Sequence, residues 1–214
     1  LYSGGGKSNW PYLRLVDDGG NPALVDAVAY RKLYRDTAGN GNLLNWQYRP
    51  LAELDQSRQH IVIQDILMSG DLGYAFTPNW SAALLYTYQK GNTEIEDWHG
   101  VGSYAMRENI NIYSQWDDNG VRQRPYPLGD RMDRMYETKQ SHTLRLQAKY
   151  AGRWNDDQEL NAIIGAEQRQ ITTTNNGNTL LGYNRQNLTY QPVDFAGYYP
   201  LYNQAFGGQR IPNV

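Results

Sequence analysis

Two stretches of this chain alternate apolar and polar residues with a period of two, which confines them to extended strands whose faces meet different surroundings. In the first, Ile66, Met68, Leu72, Tyr74 and Phe76 share a face with Gly70, while Asp65, Ser69 and Asp71 lie opposite. After a short turn at Thr77, Pro78 and Asn79, Trp80, Ala82, Leu84, Tyr86 and Tyr88 alternate with Ser81, Thr87 and Gln89, interrupted by Ala83 and Leu85. The second stretch repeats the plan. Leu144, Leu146, Ala148 and Tyr150 alternate with Thr143, Arg145, Gln147 and Lys149. A turn at Asn155, Asp156 and Asp157 follows, and then Leu160, Ala162, Ile164 and Ala166 alternate with Asn161, Glu167 and Arg169, with Ile163 out of phase. The pattern predicts an all-β chain: loop 1–57, hairpin 58–91, loop 92–140, hairpin 141–172, loop 173–214.

Very short turns at one end of the strands and long polar loops at the other are the asymmetry of outer-membrane β-barrels, which puts 77–79 and 154–158 on the periplasmic side. The aromatic residues fit. The chain has 18 Tyr and 6 Trp against 3 Phe, a skew toward rings with a polar end that suit an apolar/wet boundary. Trp80 follows one short turn and Trp154 precedes the other, with Tyr74, Phe76 and Tyr150 beside them. Tyr86 and Tyr88 lie up to eight residues along the strand from Trp80, roughly 20 Å of membrane normal at a tilt of ~40°. All seven are therefore expected at the membrane interface. The same alternation also suits half-buried strands of a soluble secreted β-sandwich with the aromatics in its core. On the membrane reading, about four spanning strands cannot close, because the smallest such barrels have about eight, so an antiparallel transmembrane β-barrel segment of a larger barrel is expected.

No stretch approaches the ~18 apolar residues of a spanning helix, and the mean hydropathy of −0.75 fits barrel strands, which average out as hydrophilic. A net charge of −2 lacks the basic footprint of a nucleic-acid binder. The absence of cysteine excludes disulfides and thiolate metal sites.

Familiar chemical motifs fail on inspection. The Gly4–Ser8 run GGGKS lacks the leading glycine of a phosphate loop, since that position is Leu1, and Gly39, Gly41 and Leu44 break the dinucleotide pattern at its third glycine. His60, His99 and His142 show no paired metal-ligand spacing. The Asp17-Asp18-Gly19-Gly20-Asn21 segment lacks the alternating ligands and distal glutamate of a calcium loop. Acids such as Glu94, Glu96, Asp97 and Glu137 are what 22 acidic residues provide by chance, and no nucleophile elbow or zinc-protease helix is present. Neither enzymatic activity nor a metal or cofactor is expected.

Segment 173–214 carries only Arg185, Asp194 and Arg210 as charges, among Tyr183, Tyr190, Phe195, Tyr198, Tyr199, Tyr202, Phe206 and many amides. Aromatic faces with amide hydrogen bonders suit a neutral glycan or a protein lid; packing of loop against loop uses the same residues. Segment 92–140 offers Trp98 and Trp116, and its Asp117-Asp118-Asn119-Gly120 run signals a small hairpin. Trp98, Trp116, Tyr183, Tyr198 and Tyr199 are the candidate contacts to substrate or lid.

Several blocks also carry a family resemblance: PYLRLVDDGGNP from Pro11 to Pro22, LLNWQYRPLAEL from Leu43 to Leu54, RPYPLGD from Arg124 to Asp130, ELNAIIGAEQRQ from Glu159 to Gln170, then LGYNRQNLTYQPVDF and YYPLYN. In this order they resemble the SusC/RagA class of TonB-dependent outer-membrane receptors of Bacteroidetes-type Gram-negative bacteria. The resemblance implies a 22-stranded barrel in the cell outer membrane that imports glycans or peptides beneath a SusD-like surface lipoprotein, energised through the TonB complex. The plug domain, the TonB-interacting segment and a terminal strand ending in an aromatic are not seen in this chain, so its link to TonB is expected to run through parts outside it.

Overall fold

A computed structural model describes residues 14–25, 32–117, 120–155, 157–201 and 208–213, with the backbone alone at Trp116, Asp117 and Arg122. The Gly4–Ser8 run, Asp118, Asn119, Asp156, Tyr202 and Phe206 lie outside the described residues. The chain is mostly antiparallel sheet with few helices. Four long strands dominate: β1 (Ser57–Ala75), β2 (Trp80–His99), β5 (Asp130–Asn155) and β6 (Gln158–Asn184). With the three-residue β7 (Thr189–Gln191) they form one sheet in the order β1-β2-β5-β6-β7. A separate ribbon pairs β3 (Gln115–Asp117) with β4 (Gly120–Gln123), Asp117 opposite Gly120, on either side of the expected Asn-Gly turn.

The strands outrun the expected boundaries. Residues 92–99, 130–140 and 173–184, expected as loop, are strand. Long stretches of these extensions, such as 173–178, lack an apolar face, although Met132, Leu181 and Tyr183 at their outer ends are buried, and polar cross-strand contacts accompany them. Thr138 Oγ1 donates to Asn92 Oδ1 at 3.1 Å and Thr179 Oγ1 to Asp133 Oδ1 at 2.6 Å. Helix α3 (Tyr104–Tyr113) also falls within expected loop.

The tight turns are built as the sequence requires. Thr77 Oγ1 accepts the amides of Asn79 and Trp80 at 3.3 and 3.0 Å, closing the first hairpin. The Asn79 carbonyl accepts the Ala151 amide at 2.8 Å, so this turn lies against β5 a few residues before the second turn. At the far end of β6 the register passes from Leu181 opposite Gln191 to Asn184 opposite Thr189. The extra residue on β6 makes a bulge, and Gly182 sits in it with φ 62°. A Cβ on Gly129, itself at φ 143°, would lie 2.7 Å from the Gly182 Cα, so two backbones meet where no side chain fits.

The chain folds as two compact units. The first comprises the described residues of Leu1–His60, Glu96–Arg134 and Gly177–Val214; the second is Ile61–Ile95 with Met135–Asn176. The first unit holds α1 (Lys32–Thr37), α2 (Pro50–Glu53), α3 and the β3-β4 ribbon. Its core gathers Met106, Ile110 and Tyr113 from α3 with Tyr126, Leu181, Leu201 and Ile211. Ser103 caps α3, its side chain accepting the Met106 amide. Glu53 of α2 takes the Tyr104 amide on both oxygens at 2.8 and 3.0 Å. Asn111, fully buried, accepts the Leu44 amide at 2.7 Å and donates to the Leu44 carbonyl at 2.8 Å, replacing a missing strand partner with a side chain.

The second unit is built on different terms. Among its described residues there is no buried apolar side chain.

Candidate functional site

Two surfaces merit a functional account, one in each unit. In the second unit the apolar residues of all four strands are open to the surroundings. Leu72 is 74% exposed, Ile164 73% and Leu146 54%, with Ile66, Met68, Leu84, Leu144 and Leu160 exposed beside them. Soluble monomers rarely leave so many contiguous large apolar side chains uncovered. The intervening polar residues pair across strands. Arg145 Nε donates to Glu167 at 2.7 Å, Gln89 to Asp65 at 3.0 Å, and Ser69 and Thr87 share a hydrogen bond of 3.2 Å. The period-two sequence gives these strands unlike faces, with Ile63, Leu67 and Ile163 exposed out of phase.

The seven aromatics expected at a membrane interface form two groups on this sheet. Near the short turns, the Trp80 and Tyr150 ring centroids are 4.8 Å apart, Tyr150 and Trp154 6.2 Å, and Tyr74 meets Phe76 edge-on at 5.0 Å. Farther along, Tyr86 and Tyr88 flank His142, with centroids 6.2 and 5.0 Å away and a 2.8 Å hydrogen bond between the Tyr86 hydroxyl and His142 Nδ1. His142 is a member of this group that spacing arguments along a single strand do not find.

In the first unit a cleft of about 580 Å³ is lined by Val101, 128–130 and segments 182–186 and 189–191, a volume in the range of small-ligand sites. Trp98 stands at its side. The indole N–H donates to Asp130 Oδ2 at 2.9 Å, and the other Asp130 oxygen accepts the Val101 amide at 2.8 Å. The Arg185 guanidinium lies over the Trp98 ring, 4.5 Å from its centroid.

The other candidate contacts are dispersed. Tyr183 lines the cleft but is 5% exposed and belongs to the buried set, so it serves mainly as floor. Tyr199 packs against the core and donates to the Asp194 carbonyl at 2.9 Å. Tyr198 is exposed beneath Arg210, 4.9 Å from the ring centroid. Trp116 is placed on β3 by its backbone. Residues that sequence reasoning missed are Asp130, which fixes Trp98, and the cleft-lining Asn184, Gln186 and Gln191.

Burial controls the titration of the adjacent core. It pushes the Tyr126 phenol up to about 12 and raises Glu53 above the usual carboxylate range, against the Tyr104 amide bond and the nearby Arg107. Among the described residues no cluster of three His, Asp or Glu is arranged to hold a metal, and no helix is long and apolar enough to cross a membrane, which says nothing of spanning strands.

Comparison with models of known protein families and with curated proteins finds no match in either.

Proposed function

We propose that this chain is part of the wall and outward-facing loops of a TonB-dependent outer-membrane importer of the SusC/RagA type, taking up glycans or peptides. In this reading the second unit is transmembrane wall, and the first carries extracellular structure that meets substrate and a SusD-like surface lipoprotein. The observation that carries it is the sheet of the second unit, whose apolar residues are exposed on four neighbouring strands while the polar ones pair with each other. In water that surface costs roughly 25 cal/mol per Å² of apolar area left uncovered; against lipid chains it costs nothing.

The open edges support the same reading. β1 ends the sheet on one side, and β6 is paired with β7 only near Leu181 and Asn184 on the other. Backbone groups along such edges need partners in a bilayer, which further strands of a larger barrel supply. The placement of Trp80, Tyr150 and Trp154 at one level and of Tyr86, Tyr88 and His142 at another fits girdles at the two interfaces. The family and its partners rest on the sequence blocks quoted above.

A soluble secreted carbohydrate-binding β-sandwich needs its apolar face covered by a second sheet, whereas Leu72, Leu146 and Ile164 are exposed. The test is insertion of the full-length protein. Leu146→Arg and Leu84→Arg are each expected to weaken membrane assembly by ~2–4 kcal/mol near the midplane, read by fractionation and by heat-modifiable migration. Unchanged insertion of both variants refutes the wall assignment.

A further inference from the structure

We propose that the cleft beside Trp98 binds a carboxylate group of the imported ligand through Arg185. The inference names ligand chemistry within the importer reading and rests on it. Arg185 lies at the mouth of the turn joining β6 to β7, is exposed, and lines the cleft. Among the described residues it forms no ion pair and no hydrogen bond; its one contact of note is the Trp98 ring beneath it. A guanidinium over an indole keeps N–H donors spaced to meet both oxygens of a carboxylate. Stacking also holds the group in place before a ligand arrives, reducing the ordering cost of binding.

The neighbouring carboxylate does not supply that partner. Asp130 lines the same cleft, but its two oxygens are engaged by the Trp98 indole N–H and the Val101 amide. It acts as a positioning residue that fixes the indole on which Arg185 rests. The remaining wall is uncharged: Asn184, Gln186, Thr189, Tyr190 and Gln191. Asn184 Oδ1 accepts the Gln186 amide at 2.9 Å, which sets the turn that carries Arg185. An anion anchored at one point and surrounded by amides, a hydroxyl and an aromatic ring describes an acidic sugar or the C-terminus of a short peptide; the shared chemistry is the carboxylate.

The experiment is calorimetric titration of the full-length protein in detergent with two probes, a digalacturonide and trialanine, each beside an uncharged counterpart, the methyl ester and the C-terminal amide. One acid is expected to bind at least about tenfold more tightly than its neutral counterpart, as charge-assisted hydrogen bonds imply, and which acid does so identifies the source. Arg185→Gln should abolish the preference for the acid. Trp98→Phe should weaken it less, because a smaller ring still supports the guanidinium. Equal affinity for acid and neutral counterpart, full retention of the preference in Arg185→Gln, or no binding of either acid overturns the proposal. Fractionation of the same cells separates it from the wall reading: an inserted protein indifferent to carboxylate loses only the cleft, and a soluble protein that prefers it loses only the wall.

Discussion

The two units solve the same problem, what to do with apolar side chains, in opposite ways. In the first, Ile110 is 0% exposed and sits among Met106, Tyr113 and Tyr126; in the second, Ile164 is 73% exposed in a unit with no buried apolar side chain among its described residues. One unit carries its own apolar solvent in the form of a core. The other leaves that role to its surroundings, so its stability depends on what those surroundings are. Composition does not separate them, because both use Leu, Ile and Tyr freely; periodicity does.

The contrast can be broken most forcefully at its two isoleucines. Ile110→Ala is expected to destabilise the first unit by ~2–5 kcal/mol through lost burial and a cavity. Ile164→Ala, examined in aqueous buffer, is expected to stay within about 0.5 kcal/mol. Denaturant unfolding of both variants checks this, and equal losses would erase the distinction. A second effect sharpens the account of the core through pH. The Tyr126 phenol ordinarily titrates near 10.0 and is pushed up to about 12 by burial. Its stabilising contribution is therefore complete below 10.0 and is lost as pH rises through about 12. Tyr126→Phe should remove that alkaline loss, while forfeiting a weak 3.6 Å hydrogen bond to Met106 Sδ; phenolate absorbance followed against pH reads it. The smallest effect belongs to the polar face of the second unit. Arg145 and Glu167 are half exposed, and a double-mutant cycle on the pair should give ~0.2–1 kcal/mol, decreasing with added salt.

The sheet was legible in the sequence wherever apolar and polar residues alternate, because alternation with a period of two is the direct imprint of an extended strand with unlike faces. Leu144 to Tyr150 is such a strand. The extension through Thr173, Thr174, Asn175 and Asn176 was not legible, since a strand with polar residues on both faces has the composition of a loop. α3 did leave a signal: Ser103 stands at the cap, and Met106, Ile110 and Tyr113 follow at helical spacing. It was masked by Asn109, Asn111 and the flanking glycines, which are poor helix formers. Of the cleft, Trp98 could be named as a candidate aromatic, but it is half-buried, and its partners Asp130 and Arg185 are distant in sequence and are brought to it only by the fold. Aromatics such as Tyr183, on β6, and Tyr199 read as contact residues, yet Tyr183 is buried and Tyr199 packs against the core, because the same ring serves equally for packing and for binding.

The order of the sheet sets an order of assembly. Each hairpin, β1 with β2 and β5 with β6, closes across a turn of a few residues, whereas β2 and β5 are neighbours joined through residues 100–129, which include α3 and the β3-β4 ribbon. Local closure is fast and distant closure slow. The hairpins can therefore form as separate modules, and joining them across β2 and β5 carries the entropic cost of closing the longer connection.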